Sequence, residues 1–413
     1  MVPGRGLAPA VLVALISFVA GCAGSPGITG SPGPTPAGTV PIAEPSTTAI
    51  GGVATPKATQ PGWRVAGTVE WGGTLVAFDA GYVITGIGRE VSFSPDGHDW
   101  QLVVLPWTTG TSNGAEMDAR ILTIGAAGRY AVAVGYADKK PCEPSSGDGG
   151  APPCGRRPVS WVTENGIDWV ASEADDIAVE AFSYQGFERI WPVDGGWDAA
   201  LGQELILPDA SALAHSDDGL HWRALAPVPG SATGDAPAEH VGGVGSTDGR
   251  RIIWTFDEAD NMVRLWRSEG NAWTVLQDVG PEVTITASLG PSAPGQPWLI
   301  GGSQWGDDSP RLWVSADGID FEEAALPRAS ETGAGIRSLV RWQGRYLALA
   351  GDGYRPAAIW SSADGEEWAL EPTMTEGWPY IEQLVVAPSN LAAVLGSGPD
   401  GDDPYGRTLL LRE

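Results

Sequence analysis

The sequence predicts an all-β fold: a β-propeller of four-stranded antiparallel blades, with seven blades expected and six or eight as the alternatives. Three observations carry this expectation. A short motif, Ser-x-Asp-Gly-x-x-Trp, returns along most of the 413-residue chain. It stands at Ser94-Pro95-Asp96-Gly97-His98-Asp99-Trp100, at Ser216-Asp217-Asp218-Gly219-Leu220-His221-Trp222, at Ser315-Ala316-Asp317-Gly318-Ile319-Asp320-Phe321 and at Ser362-Ala363-Asp364-Gly365-Glu366-Glu367-Trp368. Two copies are worn: Thr163-Glu164-Asn165-Gly166-Ile167-Asp168-Trp169, and Ser268-Glu269-Gly270-Asn271-Ala272-Trp273, which is a residue short. A supersecondary unit repeated roughly every fifty residues marks a propeller or solenoid. The composition agrees, because 58 Gly and 34 Pro oppose long helices, and many of the 19 Trp fall at equivalent places in the repeat. The apolar runs flanking each motif have the length of strands.

Taken in order, residues 1–21 read as a secretion signal, with Arg5 as the positive start and an apolar run over residues 11–20 that is short for a membrane span. The run ends in Val19-Ala20-Gly21-Cys22, which resembles the lipobox of bacterial lipoproteins. The resemblance implies cleavage before Cys22 and a lipid on its sulfur, so an exported chain anchored on the extracytoplasmic side of the membrane. Residues 22–60 are Gly, Pro, Ser, Thr and Ala with few large apolar side chains. Such a segment cannot offset its ordering entropy and reads as a disordered tether.

Residues 61–413 carry the propeller. The clearest blade has strands at 335–342, 344–350, 357–362 and 367–370, with the Asp-Gly turn before the last. The same order fits 74–106, 119–172, 182–227, 241–278 and 283–327, although 187–202 fits poorly. The last segment supplies only three strands, at 381–387, 391–396 and 408–411. Pro61-Gly62-Trp63-Arg64-Val65 resembles a fourth strand without a blade. The two together predict a blade completed from both termini, which removes an open sheet edge. Cys142 and Cys154 bracket a thirteen-residue insertion in the second blade. A disulfide between them suits an exported protein and is worth about 3 kcal/mol in the loop-entropy picture.

Asp-Gly between two strands is a tight-turn signal, because Gly takes positive φ without steric cost. The Asp or Asn side chain and the Ser hydroxyl can accept backbone N–H groups of the same turn. Turn chemistry therefore explains the row of carboxylates, since turns repeated on every unit cannot converge on one site. The repeat resembles the Asp-box, or BNR, motif of sialidase-like β-propellers, whose members read Ser-x-Asp-x-Gly-x-x-Trp; this chain lacks the residue between Asp and Gly. The resemblance implies a fold, and fold does not supply function. In sialidases three arginines hold a carboxylate beside a Tyr–Glu nucleophile pair and an acid Asp. Arg120, Arg189, Arg264 and Arg337 are candidates to face the central channel, but no motif selects among them and no catalytic residue is carried over.

The formal charge of −27 repels nucleic acid and anionic headgroups and suits a soluble monomer or a basic partner. The four His (His98, His215, His221, His240) lack metal-ligand spacing, and two of them, in or beside repeat turns, are expected to be exposed. No phosphate loop or nucleophile elbow is present. The loops opposite the Asp-Gly turns are longer and more varied, which is where binding concentrates. They and the connectors offer Trp305, Asp307, Asp308, Tyr354, Arg355, Trp378, Tyr380, Asp402, Asp403 and Tyr405 as a carbohydrate- or peptide-binding set. The run at 400–403 is a possible Ca²⁺ site without EF-hand spacing, and no other cofactor is evident. The expected function is a binding or scaffolding module for a carbohydrate or protein partner. The alternatives are a sialidase-type glycoside hydrolase and an assembly factor for a membrane complex.

Overall fold

The structure is a computed structural model that describes residues 63–70, 73–107, 119–138, 156–174, 177, 186–201, 213–226, 228, 242–245, 249–257, 261–269, 272–304, 309–327, 335–351, 357–371, 381–388, 391–395 and 406–412. These residues form seven four-stranded antiparallel sheets. Six sheets are each continuous in sequence, over residues 75–104, 119–173, 187–224, 242–281, 283–323 and 336–370. They are called blades 1 to 6 below. The remaining sheet, blade 7, joins Ile381–Val386, Leu391–Leu395 and Gly406–Arg412 to Trp63–Glu70. Trp63–Glu70 runs antiparallel to Gly406–Arg412, from Trp63 opposite Arg412 to Glu70 opposite Gly406.

The innermost strands are Leu75–Phe78, Ala119–Ala127, Phe187–Val193, Gly242–Gly245, Val283–Leu289, Ile336–Trp342 and Ile381–Val386. Each packs on the next, and the last packs on the first. The ring is thus closed both by this packing of the innermost strands and by the pairing of Trp63–Glu70 with Gly406–Arg412. The first and last innermost strands also meet directly, where Gln383 clamps Leu75: Leu75 N–H donates to Gln383 Oε1 at 3.0 Å and Gln383 Nε2 donates to the Leu75 carbonyl at 2.8 Å.

The repeat is explained by hydrogen bonds. In five turns the Gly N–H donates to the Ser or Thr hydroxyl at 2.8–2.9 Å. The Asp or Asn Oδ1 accepts the next two backbone N–H groups after the Gly at 2.8–3.3 Å. In four turns the closing Trp donates its indole N–H to the Gly carbonyl. These Gly residues have φ between +73° and +91°. A second constraint acts on them, because the turn presses on its neighbours. A Cβ on Gly166 would come 2.0 Å from Phe93 of blade 1, and one on Gly365 would come 2.8 Å from Pro297 of blade 5.

The shortened copy in blade 4 is built differently. Glu269 pairs directly with Ala272, and the outer strand runs from Ala272 to Pro281 rather than over two to four residues. Buried clusters fill the spaces between blades, with Trp161, Trp222, Trp298 and Trp360 among the largest fully buried side chains. Blade 3, which fits the repeat poorly, has its first two strands at Phe187–Val193 and Gly196–Leu201.

Candidate functional site: the central channel

The innermost strands surround a cavity of about 620 Å³ reached by side chains of all seven blades. Its wall includes Thr74, Thr123, Arg189, Trp191, Gly242, Gly243, Trp254, Thr286, Ser288, Arg337, Ser338, Glu382 and Gln383. One local irregularity places many of these groups. In blades 2, 3, 5, 6 and 7 the innermost strand slips register by one residue against its neighbour. The slip follows Ile121, Phe187, Ile285, Ile336 and Ile381 respectively. All five anchor residues are buried. A β-bulge of this kind bends the strand and re-aims the side chains beside it. Thr123, Arg189, Thr286, Arg337, Ser338, Glu382 and Gln383 stand at or next to the five bulges.

Four polar wall residues hold the ring by bonding between blades. Ser288 Oγ donates to the Gly243 carbonyl of blade 4 at 3.3 Å, and Thr286 Oγ1 donates to the Ile336 carbonyl of blade 6. Ser338 Oγ accepts the Leu384 N–H of blade 7 at 3.2 Å. Gln383 clamps blade 1 as described. Glu382 also has an interaction of its own.

The two arginines are different: neither Arg189 nor Arg337 has a hydrogen-bond acceptor among the described residues. Arg337 is exposed on its strand. Arg189 is half-buried, and burial pulls its guanidinium below the ordinary arginine range, opposed by the carboxylate of Glu188. It stays a cation, because a guanidinium does not deprotonate in proteins. The indole N–H groups of Trp191 and Trp254 are likewise buried without an acceptor.

A second charged cluster lies between blades 3 and 4. His215 is 3% exposed and Asp198 1%, and their Nδ1 and Oδ1 are 2.6 Å apart. Arg251 Nε donates to Asp198 Oδ2 at 2.7 Å, and His215 Nε2 meets Asp217 Oδ1 at 2.8 Å. The groups satisfy one another and read as inter-blade structure.

The site expectations fare unevenly. Arg189 and Arg337 line the channel. Arg264 does not: it pairs with Asp278 at 2.7 Å across the two outer strands of blade 4. Arg120 is on an innermost strand but is not part of the wall. His98 and His221 are exposed as expected, whereas His215 is buried, because Asp198 and Asp217 offer partners to both ring nitrogens. The proposed binding set, Trp305, Asp307, Asp308, Tyr354, Arg355, Trp378, Tyr380, Asp402, Asp403 and Tyr405, lies outside the described residues. So do Cys22, the Cys142–Cys154 pair, His240 and the run at 400–403. Among the described residues no group of three His, Cys, Asp or Glu could hold a metal ion.

No protein-family model matches the chain, and no curated protein matches it. Solved structures do resemble it. YCF48 from Cyanidioschyzon merolae aligns at 14% identity and TM-score 0.49, over 85% of this chain and 98% of that one. The GH74 xyloglucanase from Xanthomonas campestris aligns at 17% identity and TM-score 0.48, over 83% of this chain and 53% of that one. Trypanosoma rangeli sialidase in complex with the inhibitor DANA aligns at 14% and 0.43, over 82% and 54%. The chain thus spans about half the length of the two hydrolases, and at these identities the likeness concerns the fold alone. The fold rests on the sheet order of the chain itself, which is that of an all-β propeller of four-stranded antiparallel blades.

Proposed function

We propose that the protein is a lipid-anchored, extracytoplasmic β-propeller that serves as a binding or scaffolding module for a carbohydrate or protein partner. One observation carries this reading: the ring is held by side chains that bond between blades, while its channel keeps two arginines that have no hydrogen-bond acceptor among the described residues. A rigid frame with unengaged polar groups in a concavity is the usual form of a binding site. The five matched turn geometries support reading the repeat as an Asp-box variant. The address rests on Val19-Ala20-Gly21-Cys22, and the Cys142–Cys154 disulfide belongs to the same exported setting. The loop set at Trp305, Tyr354, Trp378 and Tyr405 is the proposed outer contact surface.

The test is binding of the full chain to a glycan array and to immobilised envelope proteins, with radiolabelled palmitate to follow the anchor. Binding by wild type that Trp305→Ala and Trp378→Ala weaken at unchanged melting temperature supports the reading. Palmitate that fails to enter the wild-type chain removes the anchor. A second reading, a sialidase-type glycoside hydrolase, is favoured by Arg189, Arg337 and Glu382 sharing one cavity. Release of sugar from a synthetic glycoside, abolished by Arg337→Ala, would put it first.

A further inference from the structure

We propose that the gap beside the shortened turn of blade 4 binds the phosphate or sulfate ester of a compound of sugar size, held by Arg223, Arg251 and Ser268. This goes beyond the module reading above, which concerns the channel and the outer loops, and is tested apart from it.

A repeat that departs from its own rule leaves space. In four of the five full turns the Gly presses on the preceding blade. A Cβ would come 3.1 Å from Leu411 of blade 7 at Gly97, 2.0 Å from Phe93 of blade 1 at Gly166, 2.9 Å from Val132 of blade 2 at Gly219 and 2.8 Å from Pro297 of blade 5 at Gly365. Blade 4 lacks the full turn, because Glu269 pairs directly with Ala272. Where a full turn would cover blade 3, a cavity of about 500 Å³ opens between the two blades. Leu225, Ala226 and the Trp273 indole give it an apolar wall, and the indole N–H donates to the Ala226 carbonyl at 3.0 Å. That size suits a monosaccharide ester.

The polar side of the cavity is cationic. Opposite the Ser or Thr of a full turn stands Tyr82, Ala131, Trp197, Trp298 or Tyr346. The equivalent place in blade 4, beside Ser268, is taken by Arg251, whose backbone N–H donates to Ser268 Oγ at 3.3 Å. The described wall holds Arg223 and Arg251 and no carboxylate. The overall charge of −27 opposes an anion, but at physiological ionic strength it is screened beyond about 8 Å, so contacts within the cavity decide.

These groups have donors left. Arg251 commits Nε to Asp198 Oδ2 at 2.7 Å and places Nη2 3.0 Å from His215 Nδ1, while its Nη1 has no acceptor among the described residues. Arg223 Nη1 is 3.8 Å from Asp217 Oδ1, too long for a hydrogen bond. The Ser268 hydroxyl accepts from Arg251 and keeps its own proton unspent among the described residues. Arg251 therefore offers one nitrogen, Arg223 a second group on the other blade and Ser268 a hydroxyl. Three separate donors match the three outer oxygens of a phosphate or sulfate ester better than the two of a carboxylate.

Calorimetric titration of the full chain with glucose-6-phosphate, glucose-6-sulfate and glucose tests this. At least one ester should bind, and glucose at least about tenfold more weakly. Preference for one ester identifies which oxyanion the site takes. Arg223→Gln and Arg251→Lys should each weaken that binding by at least about tenfold. Arg129 lies 3.7 Å from Glu164 on the rim of blade 2; Arg129→Gln removes one charge there and should change the affinity by less than about twofold. If Arg251→Lys fails to fold, the exposed Arg223 still decides the matter. Binding of neither ester, glucose binding as tightly as its esters, or equal effects of Arg223→Gln and Arg129→Gln overturns the proposal. Trp305→Ala and Trp378→Ala leave ester binding intact, so failure of the module reading and failure of this site are distinguishable.

Discussion

The turn rim and the channel wall of this propeller are built by opposite rules. On the rim every polar atom of the repeat has its partner within seven residues: the hydroxyl meets the Gly N–H, the carboxylate meets two further N–H groups, and the indole meets the Gly carbonyl. In the channel, several polar side chains reach to other blades, whereas Arg189 and Arg337 have no hydrogen-bond acceptor among the described residues. The rim turn is thus locally complete and repeats its hydroxyl and its Asp or Asn bonds in five blades, as a structural device should. The wall differs at every blade, and its unmet groups are where a ligand has something to do.

The largest test of this contrast is removal of a rim tryptophan. Trp222 is 1% exposed, packs at a tilt with its ring 4.6 Å from that of Phe187, and donates to Ser160 of blade 2. Trp222→Ala should cost about 3–5 kcal/mol in chemical denaturation, while Arg337→Ala in the channel should be nearly neutral. Equal losses would erase the distinction.

A smaller effect separates the two demands on glycine. Gly344 has φ +78° with open space around it, whereas Gly166 has φ +79° and would strike Phe93. Gly344→Ala should cost about 1 kcal/mol from the backbone alone, and Gly166→Ala about 1–3 kcal/mol more from overpacking. Similar values from denaturant curves would mean that the turn does not press on the neighbouring blade.

Acid titration is gentler still. Backbone N–H groups of Glu367 and Glu366, with the Ser362 hydroxyl, hold the Asp364 carboxyl below its usual value of 3.8. Asp96 and Asp317 are lowered in the same way, by His98 and Ile319 first. At Asp218 burial pushes upward, but hydrogen bonds from His221, Leu220 and Ser216 outweigh it. A depressed native pKa means stability that is complete above the unfolded value and lost as pH falls through the native one. Melting temperature should therefore decline below the ordinary carboxylate value of 3.8. Asp→Asn at these four turns should flatten that decline with little change near neutrality, because Asn165 already makes the same bonds. A variant as acid-sensitive as wild type would place the sensitivity elsewhere.

The same contrast explains what could be read from the sequence. Asp364, Gly365 and Trp368 bond within their own turn, so the chemistry fixes residue type and spacing, and the repeat shows itself. The channel depends on bulges, which arise from pairing between strands and leave only a faint trace. That trace existed: Ile121, Phe187, Ile285, Ile336 and Ile381 each precede a polar or small residue by two positions. Aligning the blades on these anchors would have selected Arg189, two residues after Phe187, and Arg337, one after Ile336, over Arg264. Blade 3 resisted the template because its innermost strand carries Glu188, Arg189 and Pro192 where an apolar run was sought. The burial of His215 is not legible in the sequence, because its partners Asp198 and Arg251 come from other strands.

The central claim is that the channel arginines are not kept for the stability of the ring. The measurement that reaches it most directly is the unfolding free energy of Arg189→Met against wild type at neutral pH. A half-buried cation with no acceptor among the described residues adds little to the fold, so exchange for an apolar side chain of similar length should leave stability equal or raise it by up to about 1 kcal/mol. A loss of more than about 1 kcal/mol, the scale of a hydrogen bond the native state relies on, would show that Arg189 holds the propeller together and would contradict the account.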